Sequence, residues 1–569
     1  MYRDIYETWL AAPSLSEEER AELFLIREDE QEIKERFHGP LAFGTAGLRG
    51  IMGVGLGRMN IHIIRHATQA FAEVILEQGQ AAAKAGIIIC YDCRINSDVF
   101  AREAAAIMAA NGVQVRLFDG MRPTPALSYA IRRYGATAGI NITASHNPKE
   151  YNGYKVYWSD GAQLPPSFAA IIADKMAASD VFSVQTMAYE DAVAAGKITL
   201  LGEETDEAFL ACVLDQSVSR ESVEQVADTF KVVYTPFHGT GRTMVPEVLR
   251  RLGFRHVLPV EAQMVPDGNF PTVASPNPED TAGFAMSLEL AKTHGAHILI
   301  GTDPDADRVG SMVLHQGEYQ FISGNQMGVL LLGYLIDRKR AAGTLPGNAA
   351  FLQTIVSTEM SMELARRAGL SAYQTFTGFK FMAEKMAALG DEKQVIFSFE
   401  ESYGYMIGDF VRDKDAITAS MLIAEMAAWY KTRGMTLVDG IDEHMQTLGR
   451  YYGEKTINLV MPGVTGLEKM QMLMKTLRTT PPTEIGGQPV VTVRDYLTGT
   501  KKTDGVETAM ELSGSNVLGF TLADGTNFMV RPSGTEPKVK VYILACGTDK
   551  ADCEATIQQC LQFAEELRG

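Results

Sequence analysis

Four short polar loops, each following a run that reads as a strand, gather the nucleophilic, metal-ligating and anion-binding residue types of this chain. The first is Thr143-Ala-Ser-His-Asn-Pro148, where Asn147-Pro148 fixes a turn and Ser145 stands beside His146. A serine elbow for acyl transfer would carry glycines two positions to either side, and here Thr143 and Asn147 occupy them, so acyl chemistry is disfavoured. The same residues also suit an ordinary Asx/Pro turn. The second loop, Gly301-Thr-Asp-Pro-Asp-Ala-Asp-Arg308, places Asp303, Asp305 and Asp307 at alternate positions, so a short extended turn can aim three hard oxygen donors at one cation of the Mg²⁺ kind. An EF-hand is excluded, because its sixth position would be glycine and is Arg308, and its twelfth would be glutamate and is Leu314. The third loop, Phe399-Glu-Glu-Ser-Tyr-Gly-Tyr405, offers carboxylate and hydroxyl partners for sugar hydroxyls. The fourth, Arg531-Pro-Ser-Gly-Thr-Glu-Pro537, offers an arginine, two hydroxyls and a glycine backbone as an anion cradle, or else a plain hairpin turn. Cys90 and Cys93 have the spacing of a redox pair or half a zinc site, but no second cysteine pair accompanies them and they read as incidental.

These loops must be held by an alternating framework. From about 40 to 200 strand-like runs (IIICYD, VQVRLFD, ATAGINIT) alternate with helical patterns over 97–111 and 124–134, and the rhythm returns in KVVYTPFHG with 242–252, AHILIG, AAFLQTIV with 359–368, and QVIFSF. Such alternation implies mainly parallel sheets wrapped by helices. The last segment reads as α+β: strands in GFTLADGTNFMV and KVKVYILAC, then a helix from about 549. The stretch around 440–460 reads as an interdomain connection.

The chain has 569 residues, 46% hydrophobic and 21% charged, which suits several folded domains and excludes disorder. Asp+Glu 70 against Lys+Arg 52 gives a net charge of -18, so nucleic acid and anionic lipid are not expected partners, and any anionic substrate needs a local positive cluster. Six scattered cysteines, no secretory leader pattern near the start and no apolar run beyond Met327–Ile336 lead to the expectation of a cytoplasmic protein without a membrane span. Ser16 and Glu19 read as a capping box.

Taken in chain order, FGTAGLR (43–49), TASHNP with YNGYK (151–155), DPDADR (303–308), TGFK (377–380), EESYG (400–404) and RPSGTEP (531–537) resemble the motifs of the α-D-phosphohexomutase superfamily, the phosphoglucomutases and phosphomannomutases. TPFHGT (235–240) and YNGYKVYW resemble its phosphoglucomutase and phosphopentomutase branch. The resemblance implies an α/β fold of three consecutive mixed α/β domains around a cleft plus a C-terminal α+β domain, here expected at 1–202, 203–322, 323–445 and 446–569. It implies that Ser145 is the phosphoserine nucleophile, with His146 and Lys155 beside the transferring group, Lys155 as proton acceptor, and Arg49 neutralising charge. It implies Mg²⁺ on Asp303, Asp305, Asp307 and the Ser145 phosphoryl oxygen. Substrate contacts would be Arg308, Thr377, Gly378, Lys380, Glu400, Ser402 and Lys414, with Arg531, Ser533, Gly534 and Thr535 on the phosphate that is not transferred. Relatives with a histidine just after the sugar-loop serine differ from this chain, which has Tyr403-Gly-Tyr405 there.

The implied activity is an isomerase of the phosphoglucomutase type, interconverting glucose 1-phosphate and glucose 6-phosphate through a phosphoserine enzyme, with glucose 1,6-bisphosphate as intermediate and activator. A phosphopentomutase acting on ribose or deoxyribose 1-phosphate is the alternative. More distant ones are a Mg²⁺-dependent sugar phosphatase with Asp303 as nucleophile and Asp305 as acid, and a non-catalytic sugar-phosphate sensor. Sugar phosphates are the expected partners of a monomer or small homo-oligomer.

Overall fold

The structure is a computed structural model and describes residues 2–44, 47–461, 466–533 and 538–568. Its contacts divide it into two compact units. The larger comprises Met1–Gly324 with Met386–Ala388 and Ile396–Thr436, the smaller Asn325–Lys385 with Leu389–Val395 and Leu437–Gly569.

In the larger unit the first sheet has the order Leu48–Ile51, Tyr151–Trp158, Ala138–Ile142, Ile87–Tyr91, Val115–Phe118, Ile198–Leu201. The last four run parallel, as the βα alternation requires, and Ile87, Ile88, Ile89 and Cys90 are fully buried, as expected of an interior parallel strand. Tyr151–Trp158 returns antiparallel beside Ala138–Ile142, pairing Lys155 with Asn141. Helices Tyr2–Ala11, Glu17–Leu25 and Glu30–Phe37 add Trp9, Leu23 and Phe37 to the core of this sheet, and Ser16 with Glu19 forms the expected reciprocal cap.

A second sheet follows in the order Glu318–Ile322, Val309–His315, Ile298–Thr302, Lys231–Thr235, His256–Pro259. Its central strands are parallel, and Val309–His315 returns antiparallel against Ile298–Thr302. The same unit holds a hairpin that pairs Phe397–Glu400 with Gly404–Ile407, and the buried helix Ala416–Thr432, which packs on helices Arg220–Val226 and Gly241–Leu252.

One device therefore recurs three times: a buried strand, a polar loop, and an antiparallel return strand. Each loop contains one non-glycine residue in the left-handed region, Ser145 (φ 53°), Ala306 (φ 49°) and Tyr403 (φ 66°). Such a backbone costs about 1–2 kcal/mol, and the surrounding hydrogen bonds hold it in place.

The smaller unit carries the parallel pair Ala349–Thr354 and Ser371–Thr375 and an antiparallel sheet in the order Tyr451–Val460, Lys538–Gly547, Asn527–Pro532, Leu518–Leu522, Gln488–Asp495, Thr500–Thr503, Val506–Ala509. Helices Gly466–Thr479 and Lys550–Glu566 bury Met470, Met474, Leu477, Cys560 and Ala564 against Leu459, Phe520, Phe528 and Val541, giving an α+β layer. The stretch 440–460 is not an extended linker: helix Leu437–Leu448 and the strand starting at Tyr451 fill most of it, and the junction between them is Gly449 and Arg450. Among the described residues no helix is long and apolar enough to cross a membrane, and Met327–Ile336 lies inside helix Gly324–Ala341.

Candidate active site

The serine loop is the tip of the hairpin between Ala138–Ile142 and Tyr151–Trp158. Ser145 is almost completely buried, its N–H donates to Thr143 Oγ1 at 2.9 Å, and its Oγ donates to Asp303 Oδ2 at 2.9 Å. His146 Nδ1 lies 3.1 Å from the same Oγ. Burial, then the cations Arg308 and Arg49, push the His146 imidazole well below its usual range, so it is neutral near pH 7. Arg49, on the strand paired with Tyr151–Tyr154, donates to Asn147 Oδ1 at 3.0 Å.

The acidic loop is the corresponding tip between Ile298–Thr302 and Val309–His315. Asp303, Asp305 and Asp307 are buried, with one carboxylate oxygen from each inside a 4.8 Å span. Asp303 Oδ1 accepts from the N–H groups of Asp307 and Arg308, at 3.0 and 2.9 Å. Lys155 Nζ donates to Asp305 Oδ2 at 2.6 Å and to Asp307 Oδ2 at 3.3 Å, while Lys414 Nζ sits 3.2 Å from Asp307 Oδ2. Thr124 Oγ1 donates to Asp305 Oδ2 at 2.8 Å. The loop is also buttressed from behind, where Thr240 N–H donates to Pro304 O at 2.8 Å; a Cβ on Gly239 would lie 2.4 Å from Pro304 Cα, so this approach requires glycine.

Charge is divided unevenly within the triad. Burial raises the Asp303 carboxyl well above the usual carboxylate range, and Asp305 and Asp307 push it the same way. Burial would also raise Asp307, but Lys414, Lys155 and Arg308 together pull it below that range. Burial would lower Lys155, yet Asp305 and Asp307 outweigh it and hold the ammonium protonated. In this arrangement Lys155, expected as the proton acceptor, donates to two buried carboxylates.

The third loop, between Gln394–Glu400 and Gly404–Ile407, meets the acidic loop through its backbone carbonyls. Arg308 NH1 donates to Ser402 O at 3.2 Å and to Glu279 Oε1 at 3.3 Å, and Val309 N–H donates to Tyr403 O at 3.1 Å. Glu400, at the buried end of its strand, is 4% exposed. Ser145, His146, Lys155, Arg49, Arg308, Glu400, Ser402, Lys414 and the three aspartates thus all fall in the larger unit. Lys414, expected as a substrate contact, lies 3.2 Å from Asp307 Oδ2 and 3.1 Å from Asp413 Oδ1. Thr377, Gly378 and Lys380 belong to the smaller unit, the first two at the turn between Ser371–Thr375 and helix Phe379–Leu389 and Lys380 in that helix's first turn; Gly378 has φ 118° and Lys380 Nζ lies over the Phe381 ring. Arg531 and Ser533 stand at the neck of the hairpin Asn527–Pro532/Lys538–Gly547, closed by Ser533 N–H donating to Lys538 O at 2.8 Å. Gly534 and Thr535, like Thr45 and Ala46 of the first motif, lie outside the described residues.

Four family models match in order: phosphoglucomutase/phosphomannomutase α/β/α domain I over 40–181, domain II over 208–316, domain III over 323–448 and the C-terminal domain over 491–555. Phosphoglucomutases of Staphylococcus aureus strains MSSA476 and N315 are each 36% identical over 532 residues, which cover 91% of this chain and 92% of theirs. The chain belongs to the phosphoglucomutase/phosphomannomutase family. Two solved structures share the fold. Parafusin, a phosphoglucomutase from Paramecium in its open form, has a TM-score of 0.68 at 19% identity and covers 93% of this chain and 95% of its own. A phosphoglucomutase/phosphomannomutase family protein of Burkholderia thailandensis has a TM-score of 0.63 at 18% identity, covering 93% and 97%.

For a family member, the donor set fits a hard divalent cation. Asp305 Oδ1 and Asp307 Oδ1 are buried without a hydrogen-bond partner inside an all-oxygen cluster, which is costly unless something cationic meets them. Two residues escaped the motif reading. Asp92 and Arg94, both buried, follow the strand Ile87–Tyr91 and hold the serine loop from beneath. The run Tyr91-Asp-Cys-Arg94 carries them in the open, and an Asp and an Arg directly after an apolar parallel strand are the signal that was available.

Proposed function

We propose that this chain is a phosphosugar mutase that interconverts glucose 1-phosphate and glucose 6-phosphate, with Ser145 as the phosphoryl carrier. The observation that carries this reading is the placement of Ser145 Oγ, on a left-handed turn, 2.9 Å from a buried carboxylate triad in which two oxygens accept no hydrogen bond. In this reading segments 1–202, 203–322, 323–445 and 446–569 supply the serine, the acidic loop, the sugar loop and the phosphate loop.

Asp303, Asp305, Asp307 and the Ser145 phosphoryl oxygen would hold Mg²⁺, which supplies charge neutralisation at the transferring group. Phosphoryl transfer asks a protein mainly for alignment and electrostatics, and the chain's own cations Arg49 and Arg308 serve the latter. A free sugar hydroxyl attacks the phosphorus and gives up its proton, the bond to Ser145 Oγ breaks, and Oγ takes up a proton in its place. His146, with Nδ1 3.1 Å from Oγ, and Lys155 lie beside the transferring group; Lys155 would take the hydroxyl's proton, and His146 would pass one to Oγ. The product, glucose 1,6-bisphosphate, turns over and returns its other phosphate to Ser145. Glu400 and Ser402 would bind sugar hydroxyls, Thr377, Gly378 and Lys380 would add substrate contacts, and Arg531, Ser533, Gly534 and Thr535 would grip the phosphate at rest.

The test compares kcat/KM for glucose 1-phosphate and ribose 1-phosphate, each with its own bisphosphate primer. Glucose 1-phosphate is expected to win. A preference for ribose 1-phosphate above about tenfold, a barrier difference of about 1.4 kcal/mol, would transfer the assignment to a phosphopentomutase and leave the phosphoserine chemistry in place.

A further inference from the structure

One side chain from a neighbouring strand end fastens both arms of the serine loop. Arg94, 3% exposed, donates from NH1 to Pro148 O and Tyr151 O, each at 2.9 Å, and from NH2 to Ser145 O at 2.7 Å and to Asn147 O. These four carbonyls span the turn from the serine itself to the first residue of the return strand. Asp92 completes the bracket. It accepts from Thr143 Oγ1 at 2.6 Å and Ser97 Oγ at 2.8 Å and lies 3.4 Å from Arg94 Nε, while Thr143 Oγ1 receives the Ser145 N–H. The left-handed Ser145 is thereby held from both its N–H and its C=O.

The outer side of Arg94 is closed by a turn that follows the second sheet's strand His256–Pro259. The guanidinium carbon lies 5.1 Å from the Phe270 ring centroid, and Gly268 runs so close that a Cβ there would lie 2.5 Å from Ile95 N. Phe270 is buried in a left-handed conformation of its own. His238 ties this turn down, with Nδ1 2.8 Å from Val265 O and Nε2 2.8 Å from Thr272 Oγ1.

We propose that Arg94 is the positioning residue that aims Ser145 Oγ at Asp303, and that the Gly268–Phe270 turn keeps it desolvated, so that a segment outside the reacting groups governs the aim of the nucleophile. The inference rests on the reading of Ser145 as phosphoryl carrier. A planar fork can bond four carbonyls at once, and desolvation strengthens each of those bonds, whereas a lysine keeps the charge and loses the span.

Arg94→Lys and Phe270→Leu are prepared with wild type, loaded with glucose 1,6-bisphosphate and checked by peptide mass spectrometry for phosphoryl on Ser145. The readouts are the unfolding midpoint, kcat, KM, and phosphate lost to water per mutase turnover. A misaimed serine should lower kcat of folded Arg94→Lys by about tenfold or more with KM within about twofold, and raise the leak to water about threefold. Phe270→Leu should do the same more weakly, about two- to fivefold in kcat, and it carries the test alone if the lysine variant does not fold. Wild-type kcat and leak in a loaded Arg94→Lys, or a loss that only tracks the folded fraction, overturns the positioning role. A wild-type Phe270→Leu overturns the sealing role. Absence of phosphoryl on Ser145 in the wild-type protein removes the underlying reading and this inference with it, and is read before any variant is made.

Discussion

The serine loop and the acidic loop share one topology and solve opposite problems. Both are tips between a buried strand and its antiparallel return, and both contain one left-handed non-glycine residue. The serine loop is held by charge beneath it, the pair Asp92 and Arg94 from its own sheet, and leaves a neutral hydroxyl at the tip. The acidic loop puts its charge at the tip and, beyond its own Arg308, takes its counter-charge from elsewhere, Lys155 from the first sheet and Lys414 from just before the helix Ala416–Thr432. Geometry is thus fixed locally in one loop, and charge is balanced remotely in the other. Substitutions at the first tip should cost chemistry, and at the second chemistry and stability together.

The largest expected effect is on turnover. With Ser145 proposed as the phosphoryl carrier, Ser145→Ala should lower kcat by at least about a thousandfold, yet change stability by no more than about 1 kcal/mol. Steady-state assay with urea unfolding checks both, and a strongly destabilised variant would break the contrast.

Next comes Asp307→Ala, which removes the carboxylate shared by two buried lysines. Turnover should be lost, and metal-free stability should fall by about 3 kcal/mol or more, because Lys155 and Lys414 keep their burial and lose a partner. Chelator-treated wild type should regain activity and gain thermal midpoint as Mg²⁺ is added, by mass action, and Asp307→Ala should do neither. Full activity of the variant with Mg²⁺ restored would remove the acidic loop from the mechanism.

The smallest effect sharpens the comparison with a buried carboxylate that has no lysine on it. Asp415 caps the helix Ala416–Thr432, accepting from Ile417 N–H, Thr418 N–H and Thr418 Oγ1; burial raises its carboxyl to about 6 against those hydrogen bonds. A carboxyl raised in the folded state contributes stability below its unfolded value of about 3.9 and loses it as pH climbs toward 6. Asp415→Asn keeps the cap, so it should stabilise by about 1 kcal/mol at pH 8 and change little at pH 4, measured by urea unfolding at the two pH values. A loss at pH 8 would show that amide donors balance a buried carboxylate as well as lysines do.

How far the sequence is legible follows from the same division. The tips could be read because each gathers its polar residues next to a recognisable apolar strand, as Thr143–Pro148 does after Ala138–Ile142. Their supports could not. Arg94 sits in a cysteine-flanked run that drew attention to sulfur, and nothing in its neighbourhood announces that its partners are carbonyls about 50 residues away. Lys414 entered through family resemblance as a substrate contact, and only the fold shows it on Asp307. Strands Thr500–Thr503 and Val506–Ala509 are polar and largely exposed, so they lack the alternation that marks a half-buried strand, and Tyr451–Val460 has Leu459 as its one fully buried residue.

The two lysines on Asp307 lie on opposite sides of it in the chain, and this gives the site a schedule. During synthesis Lys155 precedes the acidic loop and is already made, whereas Lys414 follows it by about 100 residues, or about 5–20 s at roughly 5–20 residues per second. If the acidic loop forms in that interval, its Asp307 has Lys155 and Arg308 beside it and lacks Lys414. Chains stalled before residue 396 should accordingly be cut within the acidic loop by protease, and chains released past residue 436 should resist.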